Sequence, residues 1–303
     1  MMVSQDRLKD ITPFVASVDH GSFTAAADYL HLTSSAVSKS VARLETRLGS
    51  RLFERTTRRL TLTDAGQAFY DTCTRVLSEL TEAEAVLAAQ RAIPVGRLRI
   101  AVPNTFGRMR VMPLINEFCR QHPEMQISLS FSDRFVDLFE EGVDIAVRIG
   151  GSTDFPPSLG CRFLGNERLI FCASPDYLAQ HGMPDSLQSL TERRAIVYER
   201  VDGSTSPWRI SSPDGRTLTR TMPYRMALGD GEAQVAAVTA GLGVAQMATW
   251  LLEKELASGA LVPILPELTV EGLPLFIVWP RRKQLLPKVD ALLATLDRLK
   301  ISQ

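Results

Sequence analysis

The segment 22–66 constrains the fold of this chain more than any other, because it predicts two short helices separated by a tight turn. The first helix is alanine-rich and is predicted at Phe23–Leu30, with Ser22 as its N-cap. After a two-residue break, Thr33 and Ser34 offer the cap of a second helix. The apolar residues of that helix recur at helical spacing and predict one buried face: Ala36, Val37, Val41, Leu44 and Leu48.

The opposite face of the second helix is polar and then cationic. Its residues are Ser34, Ser35, Ser38, Lys39, Arg43 and Arg47. In a helix-turn-helix, the first turns of the second helix contact base edges, and neighbouring cations hold phosphates. Short hydroxyls followed by long cations therefore favour a DNA-binding helix-turn-helix, with all six residues as candidate contacts.

Positive charge is concentrated in this region although the whole chain is neutral. The 34 basic and 34 acidic residues of the chain cancel, whereas the segment from Lys39 to Arg59 holds seven basic and two acidic residues, a net charge of +5. Phosphate binding requires such a cationic stripe. An arginine-rich stretch alone is often only a solvated helix face. Here caps, turn, apolar periodicity and charge coincide, which favours DNA binding.

A basic hairpin is predicted after Gly49, where helical spacing changes to short alternating strands at 51–55 and 58–62 around a Thr-Thr tip. Arginines near such a tip can follow the DNA backbone or enter a narrow minor groove. The candidate contacts are Arg55, Arg58 and Arg59. The N-terminal region is thus predicted to be a winged helix-turn-helix.

A long helix is predicted from Asp64 to Ala92, spanning about 43 Å. Its apolar residues follow the 3.5-residue repeat of a coiled-coil seam: Phe69, Cys73, Val76, Leu80, Ala83 and Leu87. The alternative is an ordinary helix packed on its own domain. Because the helix is longer than a small domain needs, dimerisation is the preferred explanation. A dimer would carry two reading heads for a two-fold DNA site.

Composition and motifs argue against a membrane, metal or enzymatic function. No apolar run approaches the ~18 residues that cross a bilayer, and the N-terminus has no signal-peptide core, so a cytoplasmic protein is expected. The four cysteines form no CxxC pair, which predicts reduced thiols and no metal or cofactor. A redox switch using Cys161 and Cys172 is a less favoured alternative. The four histidines are scattered and no catalytic motif is present.

From Arg97 onward, strands alternate with helices, which predicts βαβ units and a largely parallel sheet. The predicted strands are 97–102, 127–131, 144–149, 169–173, 195–198, 243–246 and 275–279. The predicted helices are 104–118, 135–141, 176–180, 230–240 and 288–299. Two α/β halves of similar build would meet in a cleft.

A ligand site is expected in this cleft. In open α/β sheets, ligands lie beyond the carboxyl ends of strands, near helix N-termini that favour anions, so a carboxylate-bearing metabolite is expected. The candidate contacts are Asn104, Thr105, Phe106, Phe131, Ser132, Arg148, Gly150, Tyr198, Val201 and Asp202. A purely structural role is the alternative for each. Arg148 has two candidate partners, an effector carboxylate or Asp144, and Asp230 is better explained as a helix cap.

These motifs closely resemble those of the LysR-type transcriptional regulators over essentially the whole chain. The resemblance rests on SFTAAADYL, HLTSSAVSKSVARLE and RLFERTTRRLTLTDAG near the N-terminus, and on GRLRIAVPNTFGR, SDRFVDLFEEGVDIAVRIG and GDGEAQVAAVTAGLGVAQ downstream. It implies a winged helix-turn-helix at 1–63, a linker and dimerisation helix at 64–93, and an effector-binding regulatory domain at 94–303. Many members have glutamine at the position of Ser34, so no base preference carries over.

The resemblance also implies a regulatory domain similar to periplasmic binding proteins. One subdomain would comprise about 97–165 and 269–303, and the other about 166–268. Members bind a small metabolite in the cleft and are usually dimers of dimers. We therefore expect a sequence-specific transcriptional regulator rather than an enzyme or a solute-binding protein. Its expected partners are double-stranded DNA, a small-molecule effector and further copies of the chain, with RNA polymerase as a further candidate.

Overall fold

The computed structural model describes residues 9–54, 60–88, 93–211 and 216–299. The chain divides into two compact units, Met1–Ala88 and Ala89–Gln303. Within the described ranges, no helix is both long enough and apolar enough to cross a lipid bilayer.

Four helices described in the first unit pack around two apolar clusters, of which one is the larger. The helices are α1 (Ile11–Asp19), α2 (Phe23–Leu30), α3 (Ser34–Leu48) and α4 (Asp64–Ala88). The buried members of the larger cluster are Phe14, Val15, Val41, Leu44, Leu52, Phe53 and Cys73. The predicted apolar face of α3 is confirmed at Val37, Val41 and Leu44. Leu48 is 41% exposed, contrary to prediction, because it is the last residue of α3, and the left-handed Gly49 ends the helix there.

The predicted hairpin is described only at its base. Phe53 and Leu62 form an antiparallel bridge, and the Glu54 N–H donates to the Thr61 carbonyl at 2.8 Å. The predicted contacts Arg55, Arg58 and Arg59 lie outside the described residues.

Eleven strands are described in the second unit. They are β1 (Gly96–Val102), β2 (Met125–Phe131), β3 (Ile145–Ile149), β4 (Leu159–Ala173), β5 (Ala195–Tyr198), β6 (Trp208–Ser211), β7 (Thr217–Arg220), β8 (Tyr224–Leu228), β9 (Ala245–Ala248), β10 (Val262–Ile264) and β11 (Val270–Pro280). Seven of them form one sheet in the order β10-β4-β11-β3-β1-β2, with β9 also paired to β4. The other four form the pairs β5-β8 and β6-β7.

The sheet is mixed, so the prediction of a largely parallel sheet is wrong. Only β1 pairs in parallel with its neighbours β2 and β3, and the separate pair β5-β8 is also parallel. The long strands β4 and β11 run antiparallel to each other, and β3, β9 and β10 pair with them in the same sense. Strand β4 follows β3 after a short loop without a helix, and parallel neighbours would need a longer crossover connection.

The helices of the second unit begin directly after β1. Helix α5 (Asn104–Phe106) continues through a π-helical turn (Gly107–Val111) into α6 (Met112–Gln121). The later helices are α7 (Pro175–His181), α8 (Leu187–Thr191), α9 (Gly231–Thr239), α10 (Thr249–Ser258) and α11 (Pro287–Leu296). A Cβ on Gly107 would lie 2.3 Å from Val102 Cγ2, so only glycine permits this close approach of helix and strand.

The predicted helix at 135–141 is wrong, because the segment forms turns. The Asp137 carboxylate accepts from the N–H groups of Phe139 and Glu140 at 2.8 and 3.0 Å. A side chain that bonds the following backbone in this way offers an alternative to the helical hydrogen bonds. The segment still covers one face of the sheet, since Val136 and Leu138 are buried against Phe276.

A redox switch formed by Cys161 and Cys172 is excluded, because the two thiols lie far apart and one of them is buried. Cys161 and Cys172 lie eleven positions apart on the single extended strand β4, which separates them by about 36 Å. Cys161 is exposed and Cys172 is buried. Burial raises the pKa of the Cys172 thiol to about 12, so little reactive thiolate forms.

Candidate DNA-binding surface and ligand cleft

Local hydrogen bonds fix the position of α3. Ser22 Oγ accepts from the Ala25 N–H at 3.1 Å and begins α2, as predicted. Helix α2 ends where His31 adopts a left-handed conformation with φ of 55°. Thr33 Oγ1 then accepts from the Ala36 N–H at 3.2 Å and begins α3. Capping side chains therefore fix where each of the two helices begins, and so define the tight turn between them.

The predicted base-contacting residues share one exposed surface at the start of α3. Ser34, Ser35, Ser38 and Lys39 are all exposed, whereas the neighbouring Val37 is fully buried. The two faces of the helix are thus separated as the sequence periodicity predicted. This surface has the short polar side chains and cation that base and phosphate contacts need.

The two predicted phosphate contacts further along α3, Arg43 and Arg47, are both exposed. Arg43 Nη2 donates to Asp10 Oδ1 and to Ser40 Oγ, each at 2.7 Å. Arg47 is exposed, and with Lys39 and Arg43 it lines a shallow open depression along the helix. The charge of Arg43 is therefore partly neutralised within the protein.

Glu45 connects α3 to the start of the hairpin. Its Oε1 accepts from the N–H groups of Leu52 and Phe53 at 2.7 and 3.2 Å. Thr63 Oγ1 donates to the Arg51 carbonyl at 2.8 Å, and it accepts from the Gly66 N–H at 2.9 Å to cap α4. These bonds hold the base of the hairpin against the helices.

The predicted dimer seam on α4 divides into two parts. Phe69 packs on the core of its own unit, with its ring 5.7 Å from that of Phe14, and Cys73 is 3% exposed. Burial raises the pKa of Cys73 to about 11. Val76 and Leu80 are 42% and 45% exposed. The side chains of the remaining seam residues, Ala83 and Leu87, lie outside the described residues.

In the second unit, the strand ends meet around Asp133, which sequence analysis missed. Asp133 accepts from the Asn104 N–H at 3.0 Å, from Asn104 Nδ2 at 2.8 Å and from the Tyr198 hydroxyl at 3.1 Å. Burial, and then the charge of Asp133, raises the pKa of Tyr198, so the phenol stays protonated and donates. Asn104 and Tyr198 were predicted site residues. The available signal for Asp133 was its position directly after the candidate Ser132.

A second set of contacts joins α5 and the turn after it to the start of α9. Thr105 Oγ1 donates to Asp230 Oδ2 at 3.4 Å and accepts from the Gly231 N–H at 3.3 Å. Asp230 Oδ1 caps α9 by accepting from Ala233, which confirms its assignment as a cap. Arg108, also missed, donates to Asp230 at 2.8 Å and pairs with Glu232. Burial opposes ionisation of Asp230, but the bonds from Ala233 and Arg108 outweigh it and hold its pKa below the ordinary value.

Arg148 has a backbone partner. Its Nη2 donates to the Val136 carbonyl at 2.5 Å, and its Cζ lies 5.8 Å from the Phe135 ring centre. Its Nε is buried with no hydrogen-bond partner among the described residues. Desolvation lowers the pKa of Arg148. The alternative pairing with Asp144 is wrong, because Asp144 pairs with Lys283 at 2.5 Å.

The other predicted cleft residues occupy different environments. Phe106 is 2% exposed and packs edge-on against Trp250, so its side chain belongs to the core. Gly150 is buried beside Leu273. Phe131 is 39% exposed at the end of β2, and Ser132 Oγ accepts from the Arg134 N–H at 3.2 Å. The other two, Val201 and Asp202, lie on an exposed turn that Asp202 closes by accepting from Ser204.

Both units match known families. Residues 8–67 match the bacterial regulatory helix-turn-helix protein of the lysR family, and residues 91–300 match the LysR substrate binding domain. The chain is 34% identical to the transcriptional regulator DmlR of Escherichia coli, over 86% of this chain and 84% of that protein. It is also 34% identical to a transcriptional repressor of Pseudomonas aeruginosa, over 94% and 89% of the two chains.

Two solved structures are similar to this chain over nearly its whole length. CrgA, a LysR-type transcriptional regulator from Neisseria meningitidis, is 31% identical with a TM-score of 0.60, covering 95% of this chain and 97% of that one. The Vibrio cholerae virulence activator AphB is 26% identical with a TM-score of 0.60, covering 96% and 98%. The likeness thus includes both units.

Proposed function

Because the chain belongs to the LysR family of transcriptional regulators, we propose that it reads a specific DNA sequence through α3 and its hairpin, and that a small metabolite in the cleft controls this binding. The observation that carries the proposal is the exposed polar surface formed by Ser34, Ser35, Ser38 and Lys39 at the capped start of α3. The relatives are named as transcriptional regulators, and we propose no enzymatic activity.

The length of each side chain determines which part of the DNA it is proposed to contact. The three serines lie where the first turns of a recognition helix meet base edges, and Lys39 can reach either a base or a phosphate. Arg47 is proposed as a phosphate contact, with Arg55, Arg58 and Arg59 of the hairpin as contacts to the backbone or minor groove. Arg43 is proposed as a weaker contact, because Asp10 already accepts from it.

Dimerisation is proposed through the distal part of α4. Val76 and Leu80 are exposed apolar residues on this helix and support a contact with a second copy. Phe69 and Cys73 instead attach the helix to its own unit. Two paired copies would present two recognition helices to a two-fold DNA site. A tetramer, a contact with RNA polymerase and a cytoplasmic location are further parts of the proposal and follow from the family likeness.

The cleft is proposed to bind a metabolite with a carboxylate. The support is the set of neutral donors at Asn104 and Tyr198, which already hold one carboxylate, that of Asp133. A ligand that bridges residues of the two halves favours one closure over another, provided that it binds that closure more tightly. The change of closure would alter how subunits pair and how they bend DNA.

The test is binding of the purified full chain to a labelled DNA fragment from upstream of its own gene, titrated with salt and competitor DNA. A scrambled fragment of equal length is the control. We expect competitor-resistant binding and a protected footprint longer than one half-site. A folded oligomer that binds neither this fragment nor any other DNA at low salt would overturn the proposal.

A further inference from the structure

The carboxylate of Asp133 is held as a bound ligand would be. Both of its oxygens are engaged: Oδ1 accepts from the Asn104 N–H at 3.0 Å, and Oδ2 accepts from Asn104 Nδ2 at 2.8 Å and from the Tyr198 hydroxyl at 3.1 Å. The donors belong to different parts of the fold, since Asn104 follows β1 and Tyr198 ends β5. Asp133 itself follows β2, the parallel neighbour of β1, so strand register places it beside Asn104, and Tyr198 reaches it from a separate strand pair.

The donor set suits a carboxylate. An ionised carboxylate only accepts hydrogen bonds and has about four lone-pair positions, which suits three converging neutral donors. Among the described residues, Asp133 takes part in no ion pair, so these donors provide its compensation without a cation. Such bonds to a charged acceptor are stronger than neutral ones.

We propose that Asn104 and Tyr198 form a carboxylate-binding site that Asp133 fills as an internal ligand, and that an effector carboxylate acts by displacing it. This deepens the proposed function, because the displacement has a regulatory meaning only if the cleft controls a regulator. Asp133 and Asn104 lie in one half and Tyr198 lies in the other, so removing Asp133 from the site releases one link between the halves. The contacts of Thr105 and Arg108 with Asp230 remain as a second link.

The proposal is tested by chemical rescue of Asp133→Ala in the full chain, with formate as the probe. Formate has the three non-hydrogen atoms that this substitution removes, and a ligand of that size binds with a Kd on the order of 10–100 mM. At about 300 mM formate and a Kd of about 30 mM, the folding equilibrium constant of the variant rises about tenfold. The thermal midpoint of the second unit then rises by a few degrees relative to chloride at equal ionic strength.

Matched variants separate the site from general salt effects. The wild-type chain should show a much smaller difference between formate and chloride, because formate must compete there with Asp133, which the chain holds in the site at a high effective concentration. Asp185→Ala removes an exposed carboxylate elsewhere in the same unit and should show no larger difference than the wild-type chain. Adding Tyr198→Phe to Asp133→Ala should weaken the formate effect severalfold, because one donor is lost. Asp133→Ser provides the same test if the alanine variant does not fold.

Equal effects of formate and chloride on Asp133→Ala would overturn the proposal, as would an equal formate effect on the wild-type chain. The assay contains no DNA. Its failure therefore leaves the proposed DNA-binding function standing, and a failure to bind DNA would leave the rescue result unchanged.

Discussion

Arg43 on the recognition helix donates to the carboxylate of Asp10, with 2.7 Å between Nη2 and Oδ1. The Arg43 side chain is 58% exposed, whereas that of Asp10 is 10% exposed. A cation on the proposed DNA-binding surface is thus fixed by an acidic group of its own unit. The arginines and lysines of α3 should therefore contribute unequally to phosphate binding.

Replacing Lys39 and Arg43 in turn should distinguish their contributions. Lys39→Ala should reduce the slope of log K against log salt by about one, as expected for a lost phosphate contact. Arg43→Ala should reduce it by less, because Asp10 already neutralises part of that charge. The measurement is DNA affinity at several salt concentrations. Lys254→Ala, an exposed lysine in the second unit, is the control and should leave the slope unchanged. An equal reduction of the slope in the two variants would refute the prediction that Lys39 contributes more than Arg43.

Glu45 should stabilise the first unit through its acceptor oxygen. Glu45→Ala leaves the N–H groups of Leu52 and Phe53 without their acceptor and should cost about 1–3 kcal/mol in the free energy of unfolding. Glu45→Gln retains a carbonyl acceptor and should recover most of this loss. Urea unfolding monitored in the first unit gives the free energies, and hydrogen exchange at the two amides reports the local effect. If the glutamine variant is as unstable as the alanine variant, the negative charge of Glu45 stabilises the unit, and its capacity to accept hydrogen bonds does not.

The buried ion pair between Lys283 and Asp144 should be costly to break from one side. Their side chains are 10% and 4% exposed, and Asp144 also accepts from the Arg99 N–H at 2.7 Å. Lys283→Met should destabilise the second unit by roughly 3–5 kcal/mol, because it leaves an uncompensated buried charge. Adding Asp144→Asn should recover part of the loss, since the amide oxygen can still accept from Arg99.

The matched control for that prediction is the exposed pair of Arg134 and Glu141, whose side chains are 59% and 37% exposed. Arg134→Met should cost under about 1 kcal/mol, the usual value of a surface pair. Denaturant unfolding of all the variants gives the comparison. Similar losses at Lys283 and Arg134 would contradict the role given to burial.

Glu167 should make the stability of the second unit depend on pH. Burial raises its pKa above the ordinary 4.5, although the donors at Trp250 and Leu273 and the charge of Arg209 oppose the shift. The folded protein therefore binds this proton more tightly than the unfolded chain. Raising the pH from about 4.5 through the folded pKa must then lower the free energy of unfolding.

Glu167→Gln should remove this fall in the free energy of unfolding at higher pH. The thermal midpoint of the variant minus that of the wild type should increase as the pH rises from 5 to 8. Glu271→Gln, an exposed glutamate on β11, is the control for loss of one carboxylate. A difference that stays constant over this pH range would show that ionisation of Glu167 has no part in stability.

Sequence reasoning located the recognition helix because its signals are local. A hydroxyl cap such as Ser22 or Thr33 bonds an N–H three residues later, and helical periodicity separates Val37 from Ser38 within one turn. Both relations depend on spacing along the chain and on little else. The same applies to Asp230 as the cap of α9.

The cleft was predicted less completely because its contacts join residues far apart in sequence. Asp133 and Tyr198 are separated by 65 positions, and no pattern in either segment indicates that they meet. The prediction of a helix at 135–141 was wrong for a different reason. Its apolar spacing is compatible with a helix, but the Asp137 side chain competes for the backbone N–H groups.

The continuous strands β4 and β11 have a consequence for how this regulatory unit can evolve. Residues 159–163 of β4 pair with β11 inside one predicted half, while residues 169–173 carry the pairings with β9 and β10 in the other. Exchange of residues 166–268 between relatives would therefore divide β4 and cut the chain next to the start of β11, and both new junctions would have to restore the register of these strands. Recombination should therefore tolerate breakpoints outside the second unit far better than breakpoints within β4 or beside β11.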